Sequence, residues 1–139
     1  MVQFIVGEKG KGKTKELLGR VNSEIKKVSG NVCYLDKSTK HMFELNNKVR
    51  LIDVSEYLIN SSDEFLGFIS GIISQDHDLE QMYLDSFLRI SCLEDKDITP
   101  AIEKLDDISN KYNVDFTLSV SCPESKIPDS LKSKIVVSL

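Results

Sequence analysis

The chain of 139 residues has no tryptophan, few cysteines (3), prolines (3), glycines (7) and histidines (2), and no long apolar run. Each shortage removes a class of protein. No run of apolar residues approaches the roughly eighteen that a membrane helix needs, and the apolar start of the chain stops at Gly7-Glu8-Lys9, which argues against a signal peptide. Cys33, Cys92 and Cys122 are odd in number and far apart, so neither a disulfide framework nor a Cys-x-x-Cys site is expected, and a reducing cytoplasm is the simple setting. His41 and His77 belong to no metal-ligating pattern. Low-complexity stretches and internal repeats are also missing, and with 40% apolar residues the chain reads as one folded domain over 1–139 rather than a disordered segment.

What is present is an uneven charge. Residues 1–50 carry 11 Lys/Arg against 5 Asp/Glu, whereas residues 51–139 carry 7 against 17, although the whole chain is only −4. The first third is built to meet an anion, either a nucleic acid or a bound phosphate chain.

Short β-branched or aromatic runs alternate with helical patterns. Strands are expected at Val2–Val6, Val32–Leu35, Val49–Asp53, Gln81–Asp85, Val114–Val120 and Ile135–Val137. Helical spacing joins Leu17, Leu18, Val21, Ile25 and Val28, with Gly30 as a stop. A second apolar helix runs from Phe65 to Ile73, capped by Ser62 or Asp63, and its Gly67 and Gly71 read as close packing in the core rather than a partner interface. Thr99 and Pro100 supply the cap and first-turn proline of a third, which carries Ile102, Leu105, Ile108 and Tyr112. Between Pro123 and Pro128 a polar loop has room for one helical turn. The order predicts an α/β fold in three layers, with a mainly parallel sheet of five to six strands flanked by helices.

Chemistry concentrates in Gly7-Glu8-Lys9-Gly10-Lys11-Gly12-Lys13-Thr14, followed by Lys15. The pattern is Gly, four residues, then Gly-Lys-Thr, placed after a strand and at the start of a helix. Glycines permit the positive φ angles that turn successive amides into one concavity, and the helix start adds its unpaired N–H groups. Lys13 can then lie between β- and γ-phosphates, and the Thr14 hydroxyl can join the oxygen shell of Mg²⁺. An acid at the end of another strand completes such a site; Asp85 is the first choice, with Asp36 and Asp53 as alternatives.

With these residues side by side, the chain resembles the P-loop nucleoside triphosphatase superfamily, Gly7–Thr14 standing as Walker A and Met82–Asp85 as Walker B. The strand order is similar to the additional-strand, RecA-like branch. That resemblance implies ATP and Mg²⁺ as cofactors, Lys13 and Asp85 as catalytic groups, and Thr14 and Asp85 as metal-holding groups. It also implies that the strand after Asp85 lies between Asp85 and the Walker A strand, ending in a polar residue, Ser119 or Ser121.

Departures shape the expected activity. Ser86 stands where hydrolytic members of the branch carry Glu, and only Arg20, Arg50 and Arg89 could serve an arginine-rich lid, Arg89 being best placed. Asn110-Lys111-Tyr112-Asn113 lacks the final Asp of the guanine motif, so ATP is favoured over GTP. The expectation is a Mg-ATP-binding protein with weak or partner-dependent ATPase activity, acting as a regulator or assembly module, with a protein partner or homo-oligomer left open. The alternative is a small-molecule kinase whose acceptor lies near Asp36, His41 and Asp53. A nucleic-acid-associated ATPase ranks third, because no aromatic residue is interleaved with Lys9, Lys11, Lys13 and Lys15.

Overall fold

The computed structural model describes residues 1–139. Its strands are β1 (Val2–Gly7), β2 (Asn31–Asp36), β3 (Arg50–Asp53), β4 (Leu79–Leu84), β5 (Asp115–Ser121) and β6 (Ile135–Ser138). All six join one parallel sheet in the order β3-β2-β4-β5-β1-β6. The helices are α1 (Lys13–Glu24), α2 (Ser62–Gln75), α3 (Phe87–Ile90) and α4 (Thr99–Tyr112). No helix is long and apolar enough to cross a membrane.

Side-chain alternation along the strands builds two cores. Phe4, Val6, Cys33, Leu35, Met82, Leu84, Phe116, Leu118 and Val120 join one cluster with α2, α3 and α4. Ile5, Val32, Tyr34 and Tyr83 turn the other way and pack with Leu17, Leu18 and Val21 of α1. Helices thus cover both faces, which is why the strand sequences are nearly continuously apolar. On the α1 face the alternation also buries polar groups: Thr117 and Ser119 of β5, and Asp36 and Asp85 at the ends of β2 and β4.

Several local expectations are corrected. α1 ends at Glu24 rather than near Val28; Ile25 remains buried in the turn that follows. The cap of α2 is Ser61, not Ser62 or Asp63: its hydroxyl accepts from the Glu64 amide at 3.1 Å, while the Glu64 carboxylate accepts from the Asn60 amide at 2.6 Å. Two residues bridging the orphan amides in this way resemble a capping box shifted by one position. Thr99 is the first residue of α4 and not its cap; the Asp97 carboxylate accepts from the Thr99 amide at 3.0 Å. Gly67 and Gly71 are exposed, and a Cβ at either would meet nothing within 4 Å, so they serve no close packing. The loop after β5 holds two 3-10 turns, Glu124–Lys126 and Asp129–Lys134, instead of one.

Candidate functional site

At the carboxyl edge of the sheet β1 runs into the Gly7–Thr14 loop, which turns sharply before α1. Gly10 and Gly12 take φ of 81° and 98°, the left-handed region that an L side chain strains to occupy. One hydrogen bond, from the Lys11 amide to the Glu8 carbonyl at 3.3 Å, closes the turn. Gly12 caps α1 without a side chain to offer. The amides of Lys9, Gly10, Gly12, Lys13, Thr14 and Lys15 consequently have no acceptor within the protein. Unpaired donors at a helix start are groups that an anion can satisfy.

The loop's lysines divide sharply. Lys9, Lys11 and Lys15 are exposed, whereas Lys13 is only 7% exposed and its ammonium donates to the Glu8 carbonyl at 3.0 Å. Burial pushes the Lys13 pKa below the ordinary lysine value, opposed by the nearby Asp85 and Cys122 and reinforced by Lys9. A cation poorly solvated by its surroundings gains most from an incoming anion.

Asp85, the residue after β4, is 2% exposed and meets this loop across the sheet. Thr14 donates to its Oδ1 at 3.3 Å, although the two residues stand 71 apart in the chain. Ser119 donates to the same oxygen at 2.6 Å and the Ser86 amide at 2.9 Å. The second oxygen, Oδ2, accepts from the wholly buried Tyr34 hydroxyl at 2.7 Å. Burial and the adjoining Asp85 carboxylate drive the Tyr34 pKa far upward, so this phenol stays a donor. The cluster forms because β5 lies between β1 and β4, and because Tyr34, Asp85 and Ser119 all project from the α1 face.

Of the residues left open by sequence, Ser119 reaches Asp85 while Ser121 sits two residues further out, level with Gly7. Asp36 ends β2, beside β4, and is 3% exposed; burial, then Asp85, raises its pKa. Asp53 lies on the outermost strand and is occupied locally, accepting from the Ser55 amide and hydroxyl at 3.0 and 2.6 Å. Arg89 is exposed on α3, and Arg50 is on the outer strand. Tyr34 was missed because it reads as one more apolar residue of a strand; the acids ending neighbouring β2 and β4 were the only hint of a polar group between them.

Two clefts flank the loop. A groove of 700 Å³ runs along α1 on its own face of the sheet, touching the loop through Lys11, Gly12 and Lys15, with Met1, Tyr83 and Leu139 among its otherwise polar lining residues. A second, of 510 Å³, opens beside Glu8 and Lys9 and is walled by the α3–α4 connection and the loop after β5. None of the larger clefts is lined by Asp36 or His41. No group of three or more His, Cys, Asp or Glu side chains is placed to hold a metal ion by itself.

No family model matches the chain, and no curated protein is significantly similar to it.

Proposed function

We propose that the chain binds a nucleoside triphosphate, ATP in preference to GTP, with its phosphates in the Gly7–Thr14 concavity, and hydrolyses it slowly. The observation that carries this reading is the 3.3 Å contact between Thr14 and Asp85, which joins two chain-distant motifs at the edge of a run of unpaired amides. Lys13, whose pKa burial lowers, is the counter-cation. The donor set also suits Mg²⁺: one hydroxyl and one carboxylate are too few to hold the ion alone, and phosphate oxygens would complete its shell. Thr14 and Asp85 are the residues that would hold it, and the ion would supply neutralisation of phosphate charge.

Slow turnover follows from what stands near Asp85. The Ser86 amide is tied to Asp85 and to Ser119 at 2.9 Å each, and Ser86 has no carboxylate to orient a water. The kinase reading with an acceptor near Asp36, His41 and Asp53 gains no support, because no large cleft joins these residues.

Melting with and without Mg-ATP tests the proposal. A ligand at a hundred times its Kd stabilises by about 2.7 kcal/mol, a rise of several degrees in a domain of this size. Lys13→Ala is expected to abolish the rise. No rise with the unaltered protein, or an undiminished one with Lys13→Ala, overturns the reading.

A further inference from the structure

The protein claims almost the whole of the Asp85 carboxylate. Oδ1 accepts from Ser119 at 2.6 Å, from the Ser86 amide at 2.9 Å and from Thr14 at 3.3 Å, while Oδ2 accepts from Tyr34 alone at 2.7 Å. An ionised carboxylate has about two acceptor positions on each oxygen, so Oδ1 is full. Its longest contact, with Thr14, is the one that an incoming group displaces at least cost. The grip comes from both neighbouring strands: Tyr34 stands on β2 and Ser119 on β5, with β4 between them. A carboxylate held in this way is not free to turn both oxygens toward one cation.

The Tyr34 hydroxyl is the part of this arrangement that packing does not require. The ring is wholly buried in the cluster that holds Ile5, Leu17 and Val21, where Phe would fill the same space, and a hydroxyl in such a place destabilises unless it is paired. Its bonded partner is Asp85. Ca²⁺ gathers about six to eight oxygens and often takes both oxygens of one carboxylate, whereas Mg²⁺ takes six at shorter range, most of them from water and phosphate. Thr14 and one oxygen of Asp85 suit the smaller ion and leave the larger one short of ligands.

We propose that Tyr34 is a positioning residue for the cation: by holding Asp85 Oδ2 from β2 it denies two-oxygen coordination, and so sets a preference for Mg²⁺ over Ca²⁺ as companion of the triphosphate. The inference rests on the nucleotide reading above and assigns to Tyr34 the choice of ion within that site.

Calorimetric titration of ATP into the full chain, with Mg²⁺ or Ca²⁺ in excess over the nucleotide, reads the preference directly. Groups that hold a metal ligand from behind alter metal affinity by about 10–100-fold, so the unaltered protein is expected to bind ATP about tenfold more tightly with Mg²⁺ than with Ca²⁺. Tyr34→Phe keeps the ring and releases Oδ2, and the ratio of the two affinities is expected to fall about tenfold, to near equality. Ser119→Ala removes a donor from Oδ1 but leaves Oδ2 held, and is expected to retain the ratio. A purely structural role for Tyr34 would weaken binding with both cations alike or with neither. Far-UV circular dichroism checks that the variants are folded. Equal affinity of the unaltered protein with the two cations overturns the proposal, and that comparison needs no variant. An unchanged ratio in folded Tyr34→Phe, or an equal fall in Ser119→Ala, overturns it as well. In each of these cases ATP still binds and the nucleotide reading stands; absence of binding with either cation removes both.

Discussion

Tyr34→Phe removes one oxygen from the centre of the candidate site and little else. The ring is wholly buried and Phe fills the same space, so no cavity opens. What disappears is the 2.7 Å hydrogen bond to Asp85 Oδ2, the sole donor to that oxygen within the protein. A hydrogen bond to a charged group contributes about 1.5–3 kcal/mol, and a buried acceptor left bare cannot recover it from water. For a chain of this length that is a fall of roughly 5–15 °C in melting temperature. Ser119→Ala is the internal comparison. It removes a shorter bond, 2.6 Å, but Oδ1 keeps the Ser86 amide and Thr14 as donors, so the cost is expected near 1 kcal/mol. Urea unfolding followed by circular dichroism reads both values, as midpoint shifts at constant m. A Tyr34→Phe cost below about 0.5 kcal/mol, or one smaller than that of Ser119→Ala, would refute the view that Asp85 is held by distinct donors on its two oxygens.

Three further outcomes are expected. Gly12→Ala meets no neighbour within 4 Å, so its cost is the left-handed backbone alone, about 1–2 kcal/mol by thermal or urea unfolding. Ser61→Ala is expected to cost about 1 kcal/mol and Ser62→Ala less than about 0.5, which distinguishes the observed cap of α2 from its neighbour. The Mg-ATP-induced rise in melting temperature is expected to shrink as pH climbs from neutral to strongly alkaline, starting below the ordinary lysine range. The sign follows from Lys13, whose lowered pKa makes the folded protein give up that proton before the unfolded chain does. Within that window the unliganded protein gains stability with pH, while its affinity for a polyanion falls.

How much could be read beforehand depended on whether the information was local. Gly7–Thr14 is contiguous, and its strand, turn and helix follow from composition within a few residues. Apolar strands gave the sheet for the same reason, because burial on both faces leaves little but hydrophobic residues. The cap of α2 was misplaced by one position, since Ser61, Ser62 and Asp63 are all good caps and the backbone angle at Ser61 decides among them. The exposed Gly67 and Gly71 were misread because a glycine's spacing does not say which face of the helix it occupies.

Asp85, Asp36 and Asp53 look alike in the sequence, each closing an apolar run, and only strand order separates them. β4 is one strand from β1, β2 is beside β4, and β3 is at the edge, so one acid meets Thr14, one is a buried neighbour and one caps a surface turn. Strand order depends on crossovers through α2 and α4, which no local pattern encodes. The same holds for the basic excess of the first 50 residues. Lys9, Lys11, Lys13 and Lys15 are equivalent in composition, yet a single one turns inward, because the first turn of α1 buries Lys13 while Lys15 faces solvent. The surplus of positive charge is therefore divided: one cation is buried against the Glu8 carbonyl, and exposed ones lie around it, of which Lys9 borders the cleft beside the α3–α4 connection and Lys11 and Lys15 the groove along α1.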